Sequence, residues 1–114
     1  MQAFARARYI RGSAPKMRQV LDLIKGRNVE EALNILRFTH KKSAYNLDKV
    51  VRSAVANALS IHGDKIHDPN RLTIAEATCD EGPMLKRIRA RAMGRAYRIR
   101  KRSCHLKIVV EFKE

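Results

Sequence analysis

Met17, Val20, Leu21 and Ile24 recur at the i, i+3, i+4, i+7 spacing of one helical face, while Lys16, Arg18 and Lys25 point elsewhere. The spacing predicts a helix that opens after Gly12, with Ser13 at its N-cap, Pro15 in its first turn and Gly26 at its end. Asn28 followed by Glu31 has the form of a capping box, and Val29, Ala32, Leu33 and Leu36 extend it into a short second helix that stops by Thr39. The longest helical period holds over about 41–61, through Leu47, Val50, Val51, Ala54, Val55, Ala58 and Leu59. Small residues at Ser53, Ala54, Ala56 and Ala58 would let a neighbour approach it closely, and His62 and Gly63 close it.

The period then changes to two. Leu106, Ile108, Val110 and Phe112 alternate with Lys107, Val109, Glu111 and Lys113, which predicts a strand with one buried face. Beyond a polar loop through Asp68, Pro69 and Asn70, residues 72–80 read as strand on Leu72, Thr73, Ile74 and Thr78, with a slip near Ala75 that predicts a bulge. At the start of the chain, residues 3–11 read as a strand with Ala3, Ala5, Ala7 and Tyr9 on one side and Phe4, Arg6, Arg8 and Ile10 on the other.

Residues 84–107 hold too few apolar residues between their charges to form a core. They carry ten cations (Lys86, Arg87, Arg89, Arg91, Arg95, Arg98, Arg100, Lys101, Arg102 and Lys107) and no acid. Gly82 and Pro83 precede them and Gly94 sits near the middle, so a long antiparallel ribbon turning around 91–95 is expected between the two strands. Arms of about ten residues would reach roughly 30 Å at ~3.3 Å per residue. A two-stranded ribbon of that length is marginal alone in water, so it is expected to be loose when free and ordered when bound.

Composition sharpens this picture. The 114 residues suit one domain, 1–114, with the hairpin extension at about 82–104, and 45% hydrophobic content is ordinary for a folded protein. A net charge of +14 and a pI near 10.6 are not ordinary. Arginine outnumbers lysine, and its planar fork suits phosphate oxygens. A charged face that merely meets solvent mixes signs, whereas here Ile88, Ala90, Ala92, Met93, Ala96, Tyr97 and Ile99 interleave a run of one sign, as suits insertion among phosphates, sugars and bases. Long apolar runs and a secretory h-region are lacking, so no membrane is expected and the cytoplasm is the default location. Cys79 and Cys104 lack CxxC spacing and read as separate free thiols.

Catalytic chemistry finds no foothold. Ser13-Ala14-Pro15-Lys16 matches S-x-x-K, but its companion elements are missing and helix capping accounts for the serine. His62, Asp64, His67 and Asp68 gather ligand types at a spacing unsuited to a metal, and His40 and His105 are isolated. Asp22, Glu30, Glu31, Asp48, Glu76, Asp80 and Glu81 form no apolar carboxylate pair. The expectation is therefore a non-enzyme with no catalytic residue, no metal and no cofactor. Two polyanions remain: DNA, gripped by a basic ribbon in the minor groove of an architectural complex, and a folded RNA threaded by the same ribbon. Cations spread over the body at Arg6, Arg8, Arg11, Lys16, Arg18, Lys25 and Arg27 favour burial in a large RNA.

Three stretches then match a known pattern: RGSAPKMRQVLDLIKG at 11–26, SAVANA at 53–58, and DEGPMLKRIRARAMGRAYRIRKRSCHLKIVV at 80–110. Across nearly its full length the chain resembles the universal large-subunit ribosomal proteins of the twenty-second family, in their bacterial form. The resemblance implies an α+β fold, with three helices packed on a small three-stranded antiparallel sheet and a long protruding basic β-hairpin. It implies large-subunit (23S-type) rRNA as the partner, a monomer within the cytoplasmic ribosome, and neighbouring ribosomal proteins including ribosomal protein four. It also implies a hairpin tip that lines the nascent-polypeptide exit tunnel, here Arg89, Ala90, Arg91, Ala92, Met93, Gly94, Arg95 and Ala96. Arg6, Arg8, Arg11, Lys16, Arg18, Lys86, Arg87, Arg98, Arg100, Lys101 and Arg102 would hold rRNA. Ala90 stands where the family commonly has proline.

Overall fold

The last strand in the chain is the middle strand of the sheet. In the computed structural model, β1 (Gln2–Arg11), α1 (Ala14–Ile24), α2 (Val29–Phe38), α3 (Lys42–His62), β2 (Thr73–Glu81), β3 (Leu85–Ala90), β4 (Ala96–Lys101) and β5 (Ser103–Glu111) follow in order, with two single 3-10 turns between α3 and β2. The structure describes residues 2–66, 68–90, 94 and 96–112, and for 65, 70, 85–90, 96–101 the backbone alone. The sheet order is β1-β5-β2 with both pairings antiparallel, and β3 and β4 form a separate two-stranded ladder. The expected α+β architecture, three helices on three antiparallel strands, is the one observed.

The inner face of the sheet is apolar because the strands alternate as expected. Cys104, Leu106, Ile108 and Val110 of β5 meet Ala3 and Ala5 of β1 and Ile74, Ala77 and Cys79 of β2 in one buried cluster. Against it lie Met17, Val20, Leu21 and Ile24 of α1, Val29, Ala32 and Leu36 of α2, and Leu47, Val51, Ala54 and Ala58 of α3. Each fully buried Leu, Ile or Val contributes about 1.5–3 kcal/mol relative to exposure. Of the small residues on α3, Ala54 and Ala58 face the core, whereas Ser53 and Ala56 are exposed. Small side chains on α3 and β1 bring the two elements close, and Asn57 donates from Nδ2 to the Phe4 carbonyl at 2.8 Å. Val109 is buried too, although it lies on the outer face, where its cross-strand partner is Phe4.

Local chemistry sets the turns. Asn28 Oδ1 accepts from the Glu31 amide at 3.0 Å and starts α2 as expected. Gly26, at φ 75°, turns the chain between α1 and α2 in a conformation that favours glycine, and its amide donates to the Ile74 carbonyl. Strand β2 slips register between Ile74 and Glu76, where the sequence pattern also slips. Strand β1 departs from expectation. Its pairing with β5 shifts between Ala7 and Ile10, so Tyr9 swings out and Ile10 packs against the core, reversing the sides assigned to both by simple alternation.

Candidate nucleic-acid interface

The two arms of the hairpin continue β2 and β5 past the end of the sheet. Gly82 N–H donates to the Ser103 carbonyl at 2.9 Å, and Gly12 N–H donates to the Arg102 carbonyl at 3.1 Å, tying the root of the hairpin to the end of β1. Beyond this root, β3 and β4 pair from Leu85↔Lys101 to Ala90↔Ala96, as the ribbon reading expects. The molecule is accordingly long, 65 Å against 25 and 16 Å. The register sets Lys86 opposite Arg100, and like charges at opposed positions disfavour a ladder. Arg87 stands opposite Ile99, Arg89 opposite Tyr97 and Arg98 opposite Ile88, with Lys101 at the root. Of the expected tip, Arg91, Ala92, Met93 and Arg95 fall outside the described residues, and Gly94 has a φ of 69°.

An open cleft of ≈ 940 Å³ lies beside the root. Arg11 from the end of β1, Lys16 from α1, Lys41 and Lys42 from the start of α3, and Arg102 line it, with Gly12, Ser13, Met17, Gln19, Ser43 and Asn46. Among the described residues no carboxylate lines it. The described ion pairs, Lys25–Asp22, Arg27–Glu31, Arg52–Asp48 and Arg71–Asp68, are all local, so these acids are engaged away from the cleft. Lys41 Nζ donates to Gln19 Oε1 at 3.1 Å, which ties α3 to α1 across the opening.

Two helices begin at this cleft, and neither is neutralised. Ser13 occupies the N-cap of α1 and its carbonyl accepts from Met17, but its side chain forms no capping bond; Lys41 occupies the N-cap of α3, also with no side-chain cap. Neither first turn contains an acid. Free N–H groups give a helix start a partial positive charge, which an acidic or hydroxyl cap ordinarily offsets. Here lysines are added to it instead. That arrangement is unfavourable alone and favourable once an anion fills the cleft.

The other predicted site residues lie elsewhere. On the outer face of the sheet, the Arg6 guanidinium sits 5.2 Å from the Phe4 ring centroid and Lys107 Nζ sits 5.4 Å from it. Arg8 is exposed. Arg18 donates from Nε and Nη2 to the Cys79 carbonyl, at 3.1 and 2.9 Å. Lys41, Lys42, Ser43 and Asn46 escaped the sequence reading, although a pair of lysines where the longest helix needs a cap was a visible signal.

Cys79 and Cys104 are not separate, as their sequence spacing had suggested. Both are free and buried, on strands whose register places Cys79 opposite Leu106 and Cys104 opposite Glu81, so the two thiols neighbour each other diagonally on the inner face. Burial first, and the neighbouring Cys104 thiol second, push the Cys79 thiol up to about 12. Such a thiol is a small apolar core residue rather than a nucleophile. No group of three His, Cys, Asp or Glu among the described residues could hold a metal, and His62 packs its ring 5.9 Å from that of Phe112. No described helix is long and apolar enough to cross a membrane.

Residues 5–111 match the family model for ribosomal protein L22p/L17e. The chain belongs to that family. Among its curated L22-family relatives, the large ribosomal subunit protein uL22 of Thermoanaerobacter sp. (strain X514) is 51% identical over 114 residues, covering all of both chains. The protein of the same name from Maridesulfovibrio salexigens is 55% identical over 111 residues, 97% of this chain and 98% of that one. The L22 family is one of ribosomal structural proteins rather than enzymes.

Proposed function

We propose that this protein is a structural constituent of the large ribosomal subunit that binds large-subunit rRNA through its hairpin and the cleft at the hairpin root. The observation that carries the reading is the cleft itself, where five cations and two uncapped helix starts converge with no acid among the described residues. Arg11, Lys16, Arg102, Lys41 and Lys42 clamp phosphates there. Arg6 and Arg8 meet RNA along the sheet, and Lys86, Arg87, Arg98, Arg100 and Lys101 hold the arms against it. Arg18, with two donors held by Cys79, adds positive field more than a contact. The tip, 89–96, reaches the wall of the exit tunnel beside ribosomal protein four and shapes the path of the nascent polypeptide. The protein acts as a monomer in the cytoplasmic ribosome and catalyses no reaction.

Binding of the full chain to a transcript of bacterial large-subunit rRNA across a salt series tests the cleft. Each phosphate contact contributes about −0.7 to −0.9 to the slope of log K against log salt, so K16Q/K42Q/R102Q is expected to flatten it by about 2. The control K25Q/R52Q/R71Q removes the same formal charge from cations already paired with acids and is expected to change it little. Equal losses in both would remove the cleft from the interface, and equal affinity for duplex DNA would favour the architectural reading. For the tip, a photo-crosslinking residue at Met93 in assembled subunits should join to a stalled nascent chain, and no crosslink would place the tip away from the tunnel.

A further inference from the structure

Tyr9 is the single described non-glycine residue with a positive φ, 59°, at the point where β1 shifts register against β5. A bulky residue is sterically disfavoured in this left-handed region, where glycine or asparagine would sit at lower cost. Burial of the ring does not offset the strain, because Tyr9 is 65% exposed. The surroundings instead hold the ring outward. Tyr9 N–H, freed from the ladder by the bulge, donates to His105 Nδ1 at 3.1 Å, and the two rings meet edge to face at 5.0 Å and 90°. The His105 ring lies close over Gly82, where a Cβ would lie 3.1 Å from the imidazole Cε1 and Nε2 and 2.7 Å from Ser103 Oγ. A methyl at Gly82 would force the Ser103 hydroxyl to shift and crowd the imidazole.

A T-shaped contact occupies at most one face of the phenol ring, so the other remains open. Its neighbours in the chain are exposed arginines, Arg8 on one side and Arg11 beyond the inward-turned Ile10 on the other. An exposed aromatic ring with arginines one and two positions away in the chain is poorly suited to an apolar protein surface and well suited to a flat base whose backbone phosphates meet nearby cations. We propose that Tyr9, turned outward by the β1 bulge and braced by His105, is a stacking platform for an unpaired nucleobase of RNA. This rests on the RNA-binding reading above and adds a contact to a base, which the cleft does not make.

Stacking and charge neutralisation respond differently to salt, and this separates the two ideas. With the full chain and the large-subunit rRNA transcript as probe, Tyr9→Asn removes the ring while accepting the left-handed backbone, so its urea midpoint should not fall. Its affinity is expected to drop about tenfold at every salt concentration with the salt slope unchanged, while Tyr9→Phe stays within about twofold of the unaltered protein. Tyr9→Asn binding within twofold of the unaltered chain, or Tyr9→Phe binding as weakly as Tyr9→Asn, would overturn the platform. Absence of salt-dependent binding by the unaltered chain would overturn the RNA-binding reading itself.

Discussion

Arg18 and Cys79 join helix α1 to strand β2: two guanidinium N–H groups converge on one backbone carbonyl, at 3.1 and 2.9 Å. Hydrogen bonds from charged donors contribute about 1.5–3 kcal/mol when sheltered, and this one is partly open to solvent. Arg18→Ala is expected to lower stability by about 1 kcal/mol, read as a shifted urea midpoint. Arg18→Lys should recover less than half of that loss, since an ammonium cannot reproduce the fork. A midpoint unchanged by Arg18→Ala would show that the contact does not bear on the packing of α1.

The thiol of Cys79 makes stability fall with alkaline pH. Burial raises it from 9.0 to about 12, so below pH 9 folded and unfolded chains both keep the proton, and above it only the folded chain does. Unfolding then releases a proton, and the folded state is penalised by up to about 1.4 kcal/mol per pH unit until the folded-state value is reached. Urea denaturation between pH 9 and 11 should show a steeper decline for the natural chain than for Cys79→Ala. Parallel declines would mean that the thiol ionises without unfolding.

Gly82→Ala should strain the root of the hairpin. The new methyl would lie 2.7 Å from Ser103 Oγ, which is itself held by the Pro83 carbonyl at 2.6 Å, and 3.1 Å from the His105 ring. Overpacking of this kind costs about 1–3 kcal/mol. The expected result is a lower unfolding midpoint, accompanied by chemical-shift changes at Tyr9 and His105. A neutral substitution would show that Ser103 and His105 rotate away freely.

Strands β3 and β4 pair only with one another, while β5 has a neighbour on each side. Amide exchange over 86–90 and 96–101 in the free protein is therefore expected to be fast relative to Leu106, Ile108 and Val110, and to slow by orders of magnitude on binding the rRNA transcript. Equal protection of both regions in the free chain would mean that the ribbon is stable without a partner.

Periodicity revealed nearly all of the secondary structure, because Met17 to Ile24 and Leu106 to Val110 repeat at helical and strand spacing with few interruptions. It misplaced Tyr9 and Ile10, since one inserted residue reverses every later side chain and leaves no compositional trace. The hairpin was legible from charge, whereas the cleft was not. Arg11, Lys16, Lys41, Lys42 and Arg102 come from distant parts of the chain and meet only when the starts of α1 and α3 fold against the hairpin root. Cys79 and Cys104 likewise become neighbours only through the register of β2 and β5.

Strand order also fixes when this fold can exist during synthesis. With β5 between β1 and β2, a growing chain that has not yet reached Ser103 holds two strands whose shared native partner has not yet been made. The inner faces of α1, α2 and α3 wait with them, and the most basic stretch has by then already been made. Completion of the last strand thus closes the sheet and the core in one step, and a polyanion that arrives earlier meets the arm before it meets a folded domain.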